Sequence, residues 1–323
     1  MTEKQKELKK QESKEIGYYG SLFASVSFPA RTPKKRHWTR TNGRDTLIIE
    51  AGTAEKVRRR KIVRDENGNA ELEELKVPAG IIPLHVMLYF SWVWTIRKQH
   101  ADQSKTITLG NSLNDFLKRI NVSKKDKVSR GGNTYEVILE QVRRLFNCRI
   151  GAFKESESGQ GIRKKTPTAI IEDQEIWWTD IIPDQKTILP STVTISDSLA
   201  AILENSIPLN LETVQNIGKN VLAFDLYAWL TGRHYSISKP TTVSFKALQE
   251  QFGADYKEIR DFKVRLKKAF ELVGKSYQHN SIITEHGIEL RRSKPDIDPT
   301  NLSSNVSRQF LIDMGIKPPG EKL

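Results

Sequence analysis

The chain runs twice through one order of elements, and this repetition restricts its fold more than any single motif. Each copy reads helix, strand, helix, turn, helix, strand, strand. The first copy opens with an apolar helix over residues 83–99, with Pro83 in the first turn, where a missing N–H is tolerated. A strand over 106–109 follows, then a helix from Ser112, with Asp115 three residues on in a capping-box pattern. The loop 121–132 leads to a helix over 133–147, capped by Asn133 with Glu136. Extended stretches at 148–154 and 168–178 close the copy, separated by a Gly-, Ser-, Arg- and Lys-rich stretch at 155–167. The second copy has a helix over 220–235, a strand over 241–244 and a helix over 245–252. Gly253-Ala254-Asp255 turns the chain into a helix over 256–274, capped by Asp255 with Glu258, and a hairpin over 281–284 and 288–292 closes the copy. A strand over 191–195 and short helices over 197–204 and 210–217 lie ahead of it. This is the order of a winged helix, in which the second helix of the helix-turn-helix enters the DNA major groove. The sequence predicts an α+β chain of two tandem winged-helix domains with flexible tails.

Residues 1–45 read as a basic flexible tail, broken by Pro29 and Pro33 and carrying Arg31, Lys34, Lys35, Arg36, Arg40 and Arg44. The first domain is expected over 46–184 and the second over 185–294, with a junction at 183–190 between Pro183 and Pro190. Residues 295–323, rich in proline, read as a second tail with at most a short helix at 310–314. Within the first domain, 46–50 is strand-like, and Asn67-Gly68 between the runs 57–63 and 70–77 signals a hairpin.

Charge points to the partner. Lysine and arginine number 52 against 39 acidic residues, a formal net charge of +13, which suits a polyanion, with nucleic acid the leading reading. A basic cytosolic protein without such a partner is the plainer alternative. On a helical wheel of 256–274, Ile259, Phe262, Leu266, Ala269, Phe270 and Val273 form a core stripe. The remaining arc carries Lys257, Arg260, Lys263, Arg265, Lys267 and Lys268, opposed by Glu258, Asp261 and Glu271. Lys257, Arg260, Lys263, Lys267 and Lys268 are therefore candidate DNA-binding residues, joined by Arg291 and Arg292 of the hairpin. In the first copy, Ile138, Val142 and Leu145 form the core line. Its candidates are Asn133, Arg143 and Arg144 on the helix, Arg130 before it, and Arg163, Lys164 and Lys165 in the hairpin. DNA contact and protein contact both remain open for this unit. Core packing is the reading for Trp92, Trp94, Trp177, Trp178 and Trp229, whereas Trp38 in the basic arm is a candidate for a nucleic-acid or partner contact.

Catalytic signatures are missing. Gly274-Lys275-Ser276 ends like a P-loop, but Ala269 stands at its first glycine position and the stretch follows a helix instead of opening one. The 6 histidines contain no His-x-His pair to sit beside a nucleophilic tyrosine, and no carboxylate cluster suggests two-metal chemistry. A single cysteine supports neither a disulfide framework nor a structural zinc site. The sequence thus predicts a non-enzymatic protein without metal or cofactor. The first residues alternate Lys and Glu without an apolar segment, and the run 84–96 is shorter than the roughly 20 residues a membrane span needs. A cytoplasmic protein is expected.

Several segments in order resemble the plasmid-encoded RepA replication initiator proteins. They are Val77-Pro78-Ala79-Gly80, Leu109-Gly110-Asn111-Ser112-Leu113, Ile176-Trp177-Trp178, Ser191-Thr192-Val193, Phe224-Asp225-Leu226-Tyr227-Ala228-Trp229-Leu230-Thr231, residues 245–252 with Gly253, and Asp261-Phe262-Lys263. The resemblance covers about 46–292; the stretches 121–130 and 154–167 carry no family pattern. It implies tandem winged helices that bind repeated origin DNA, help open an adjacent A·T-rich segment, and recruit the host initiator and replicative helicase. Dimerisation and repression of the protein's own promoter are implied as well. The alternatives are a winged-helix transcriptional regulator, which would bind a single palindrome, and a partition or DNA-bridging protein with little sequence preference.

Overall fold

The structure, a computed structural model, describes residues 16–43, 45–58, 61–120, 132–155, 162–177, 185–234, 236–253 and 256–297. Strand β1 (Ile16–Gly20) leads into the short helix α1 (Ser21–Ser25), and β2 (His37–Asn42) pairs with β3 (Asp45–Glu50). The short strands β4 (Thr53–Glu55), β5 (Val57–Arg58), β6 (Lys61–Ile62) and β7 (Leu72–Glu74) precede helix α2 (Ile81–Gln99). Next come β8 (Thr106–Gly110), α3 (Leu113–Arg119), α4 (Gly132–Phe146), β9 (Arg149–Glu155), β10 (Ile162–Ala169), β11 (Ile171–Glu175) and β12 (Ser191–Ile195). The remainder is α5 (Asp197–Leu203), β13 (Ser206–Asn210), α6 (Leu211–Ile217), α7 (Val221–His234), β14 (Thr241–Ser244), α8 (Phe245–Phe252), α9 (Ile259–Gly274), β15 (Ile282–Ile283) and β16 (Gly287–Leu290). This is a mixed helix-and-strand architecture of several small sheets.

Helices α2 and α7 are buried on nearly every side, which is why both are apolar around their whole circumference. Their polar groups find partners: His85 Nδ1 is 2.8 Å from the Ile120 carbonyl, and Ser91 Oγ donates to the Met87 carbonyl while accepting from Gly20 N. Arg97 Nη1 donates to the carbonyls of Ser104 and Thr106 at 2.7 and 2.6 Å. Burial lowers the His85 pKa to about 4, so the ring is neutral near pH 7. Helix starts are set locally. Ser112, Ser196 and Ser244 each accept a backbone N–H three residues on, and Asn210 accepts one from Glu212; such caps contribute about 1 kcal/mol apiece.

Two expected caps fall elsewhere. Helix α4 begins at Gly132, which places Asn133 inside the helix. Helix α9 begins at Ile259, with Glu258 at the N-cap making no side-chain bond, and Asp255 lies outside the described residues. The turn at Asp65 forms as expected, with Asp65 Oδ1 accepting from the N–H groups of Asn67 and Asn69 and Gly68 at φ 84°. The flanking pairing differs: β5 pairs with β6, β7 reaches back to β4, and the two runs meet at the bridge Arg64–Ala70 and through Glu71 N donating to the Val63 carbonyl at 2.9 Å.

The second copy shows its expected order, α7, β14, α8, α9, β15, β16, with the sheet order β14-β16-β15. The first copy departs from it. Strand β8 pairs with β12, itself paired with β11, while the β9–β10 hairpin joins β3 and β2 in a four-stranded sheet. Leu47 faces Ala152 and Ile49 faces Ile150 across that sheet.

Residues 16–43 are folded, contrary to the expected flexible tail. Strand β1 pairs with β13, and Tyr19, Phe23, Val26 and Phe28 are buried in the core. The boundary expected at 184/185 is crossed by the sheet β11-β12-β8 and by the β1–β13 pair, and one apolar cluster holds residues from both sides. At the other end, the expected tail starts with Asp296 and Ile297 buried. Asp296 Oδ2 accepts from Tyr227 and Thr213 at 2.8 and 2.9 Å. The short helix expected at 310–314 and the junction prolines' neighbours 178–184 lie outside the described residues. Trp92, Trp94 and Trp229 pack on the core as expected; Trp177 instead is 49% exposed, and Trp178 lies outside the described residues.

Candidate nucleic-acid interface

Helix α9 is held by its apolar stripe. Phe262, Leu266, Ala269 and Val273 are buried, Phe270 is half-buried, and Ile259 at the first turn is exposed instead of joining the stripe. The turn between α8 and α9 closes tightly. Gly253 N donates to the Gln249 carbonyl at 2.7 Å, Tyr256 N to the Gly253 carbonyl at 2.9 Å, and Gln249 Nε2 to the Tyr256 carbonyl at 3.1 Å. A Cβ at position 253 would stand 2.5 Å from Phe262 Cδ2, and Phe262 is fully buried, so glycine is required for the close approach. Trp229 meets Phe252 edge-on at 5.6 Å, tying α7 to α8.

The opposite face of α9 is cationic. Lys257 precedes the helix in the turn, while Arg260, Arg265, Lys267 and Lys268 stand exposed along it. Among the described residues, none of these forms an ion pair. Lys263 is half-buried and lies 4.6 Å over the Phe245 ring, a cation–π contact that fastens α9 to α8. In the hairpin, Arg291 Nε pairs with Glu289 Oε1 at 2.7 Å, and Arg292 is exposed.

Helix α4 differs in kind. Ile138, Val142, Leu145 and Phe146 are buried as expected. Arg143 pairs with Glu73 of β7 at 3.0 Å, and its other nitrogen donates to the Glu55 carbonyl. Arg144 pairs with Glu140 at 2.7 Å and donates to Thr32 Oγ1 at 3.2 Å. These two guanidiniums are engaged in the chain's own packing. The backbones of Asn133, Arg163, Lys164 and Lys165 lie in α4 and β10; their side chains, and the whole of Arg130, fall outside the described part of the molecule.

The basic arm is likewise divided. Arg36 pairs with Glu74, and Arg40 is buried with its guanidinium 4.9 Å over the Trp38 ring. Trp38 itself packs against the core. Arg31, Lys34 and Lys35 are exposed, and Arg44 lies outside the described residues.

Residues 77–246 match the family model described as plasmid-encoded RepA protein, more than half of the chain. This chain is a plasmid-encoded RepA family member. The match is narrower than the resemblance read from the sequence, and it ends in α8, so the cationic face of α9 lies beyond it. The chain is similar to two solved structures of RctB domains 2 and 3 at 13% identity. One has a TM-score of 0.47, covering 85% of this chain and 99% of that one; the other has a TM-score of 0.44, covering 83% and 94%. No curated protein matches the chain. Among the described residues of this RepA family member, no helix is long and apolar enough to cross a membrane.

Proposed function

We propose that this RepA family member is an initiator of plasmid replication that binds repeated origin duplexes sequence-specifically. The carrying observation is the row of cations on α9 that, among the described residues, form no ion pair, on a helix that follows α8 across a tight turn and precedes the β15 and β16 strands of the β14-β16-β15 sheet. We read α7–β16 as a winged helix that sets α9 into the major groove, where Arg260 in the first turn approaches base edges and Lys267 and Lys268 neutralise phosphates. The first copy serves in this reading as the platform that shares a core with it. Opening of the origin and recruitment of the host initiator and helicase follow from the family resemblance, and the reading assigns no catalytic step, metal or cofactor to the chain.

Footprinting the protein on the DNA flanking its own coding region tests the reading. Several spaced, repeated protections support an initiator. A single palindromic protection would favour a transcriptional regulator, and protection without sequence preference would favour a bridging protein.

A further inference from the structure

The exposed cations of α9 do not all face the same way. On the helical wheel, Arg260 and Lys267 lie on one side of the outer arc, while Asp261, Arg265 and Lys268 follow each other at i, i+4 and i+7 on the other. That second side lines a groove of about 940 Å³ together with Ala30 and Arg31 of the N-terminal segment. Arg31, Lys257, Arg265 and Lys268 line it, against the single carboxylate of Asp261, with Leu222 and Val264 supplying apolar surface.

Arg31 is not on a loose strand. Three residues before it, Phe28 is fully buried; Ser27 is bonded to Asp225 of α7, and the Pro29 carbonyl accepts from Gly80 N at 2.9 Å. One residue after it, Thr32 Oγ1 accepts from Arg144 of α4. The segment is thus pinned on both sides of Arg31, which lines the groove from a fixed backbone. This gives the committed Arg144 a purpose: it holds the segment that carries Arg31.

We propose that this groove is a composite phosphodiester-binding site, in which the N-terminal segment and α9 together hold the sugar–phosphate backbone of the strand next to the one α9 reads. The inference rests on the reading of α9 as the DNA-binding helix. Charge complementarity carries it: four cations and one carboxylate lining one groove suit a run of phosphates, and an arginine on a fixed backbone can bind phosphate oxygens in pairs. Lys34 and Lys35 share the segment's charge and are not among the groove's lining residues.

Binding of the full-length chain to a random-sequence duplex, followed by fluorescence anisotropy across a salt series, tests the proposal, with thermal melts as the folding control. Removing one cation that neutralises a phosphate should reduce the slope of log K against log salt by about 0.9. Arg31→Gln and Arg265→Gln should each show that reduction, and Lys35→Gln should leave the slope unchanged. An unchanged slope for Arg31→Gln beside a reduced one for Arg265→Gln overturns the composite groove and leaves the α9 reading standing. Equal reductions from Arg31→Gln and Lys35→Gln also overturn it, because charge anywhere on the segment would then suffice. Unchanged slopes for Arg31→Gln, Arg265→Gln and Lys268→Gln together overturn the α9 reading itself.

Discussion

Ser27 Oγ donates to Asp225 Oδ1 at 2.5 Å, joining two buried residues 198 positions apart in the chain. Through this bond the N-terminal segment is docked on α7, the buried helix against which α9 packs. Burial raises the Asp225 carboxyl, the Ser27 bond and the charge of Arg40 offset part of that rise, and the net result is about 7.

A first prediction follows from that carboxyl. In the unfolded chain an aspartate titrates near 3.9, so between about pH 4 and about pH 7 the folded state holds a proton that the unfolded state has lost. Its contribution to stability therefore falls as pH rises through that window and is level above it. His85 and His234, both lowered to about 4 by burial, act with the opposite sign, removing stability as pH falls from about 6.5. Asp225→Asn should remove only the first effect. Thermal melts of both proteins across this range should show the gap between them changing with pH; a constant gap would contradict it.

The elements legible in the sequence are those whose cause is local. The Ser112 cap, the 3.6-residue stripe of Phe262, Leu266, Ala269 and Val273, and the Gly253 turn are all written in neighbouring residues. The folded N-terminal segment was not legible. Its partner strand is β13, far along the chain, its apolar run from Tyr18 to Phe28 has neither helical nor strand period, and Lys34, Lys35 and Arg36 beside it give the composition of a solvated arm. The insertion of β12 between β11 and β8 is equally non-local. At the candidate interface, the cations of α9 could be picked out by position and those of α4 could not be excluded. Nothing near Arg143 in sequence announces Glu73, and nothing near Arg144 announces Thr32.

Removing residues 1–42 should abolish the cooperative melt, since it takes Tyr19, Phe23 and Phe28 out of the core. Phe28→Ala alone should cost about 3–5 kcal/mol in denaturant unfolding. A deletion variant that melts cooperatively near the parent temperature would contradict this.

The shared sheet makes a related prediction about the halves. A fragment of residues 185–297 strips β8 and β11 from β12, and β1 from β13. It should show no sharp thermal transition by circular dichroism. Limited proteolysis yielding two stable cores split near 183–190 would show that each half folds without the other.

The two arginines of α4 should behave as packing residues. Arg144→Ala removes the bonds to Glu140 and Thr32 and should lower stability by about 1–3 kcal/mol. Because Thr32 lies beside Arg31, its effect on DNA binding should appear through the same salt slope as Arg31→Gln, whereas Arg143→Ala should leave that slope unchanged. A reduced slope from Arg143→Ala with intact stability would return this residue to the interface.

The central claim is that α9 reads bases, and Arg260 tests it most directly. It stands exposed in the first turn, among the residues of a recognition helix that approach base edges. Competition binding of Arg260→Ala to the footprinted origin repeat and to a scrambled duplex, with a thermal melt to verify folding, separates reading from charge. Base reading by Arg260 predicts a loss of about 1–3 kcal/mol on the repeat, a much smaller loss on the scrambled duplex, and relaxed preference at one base position. An unchanged ratio of the two affinities in a folded variant would contradict it.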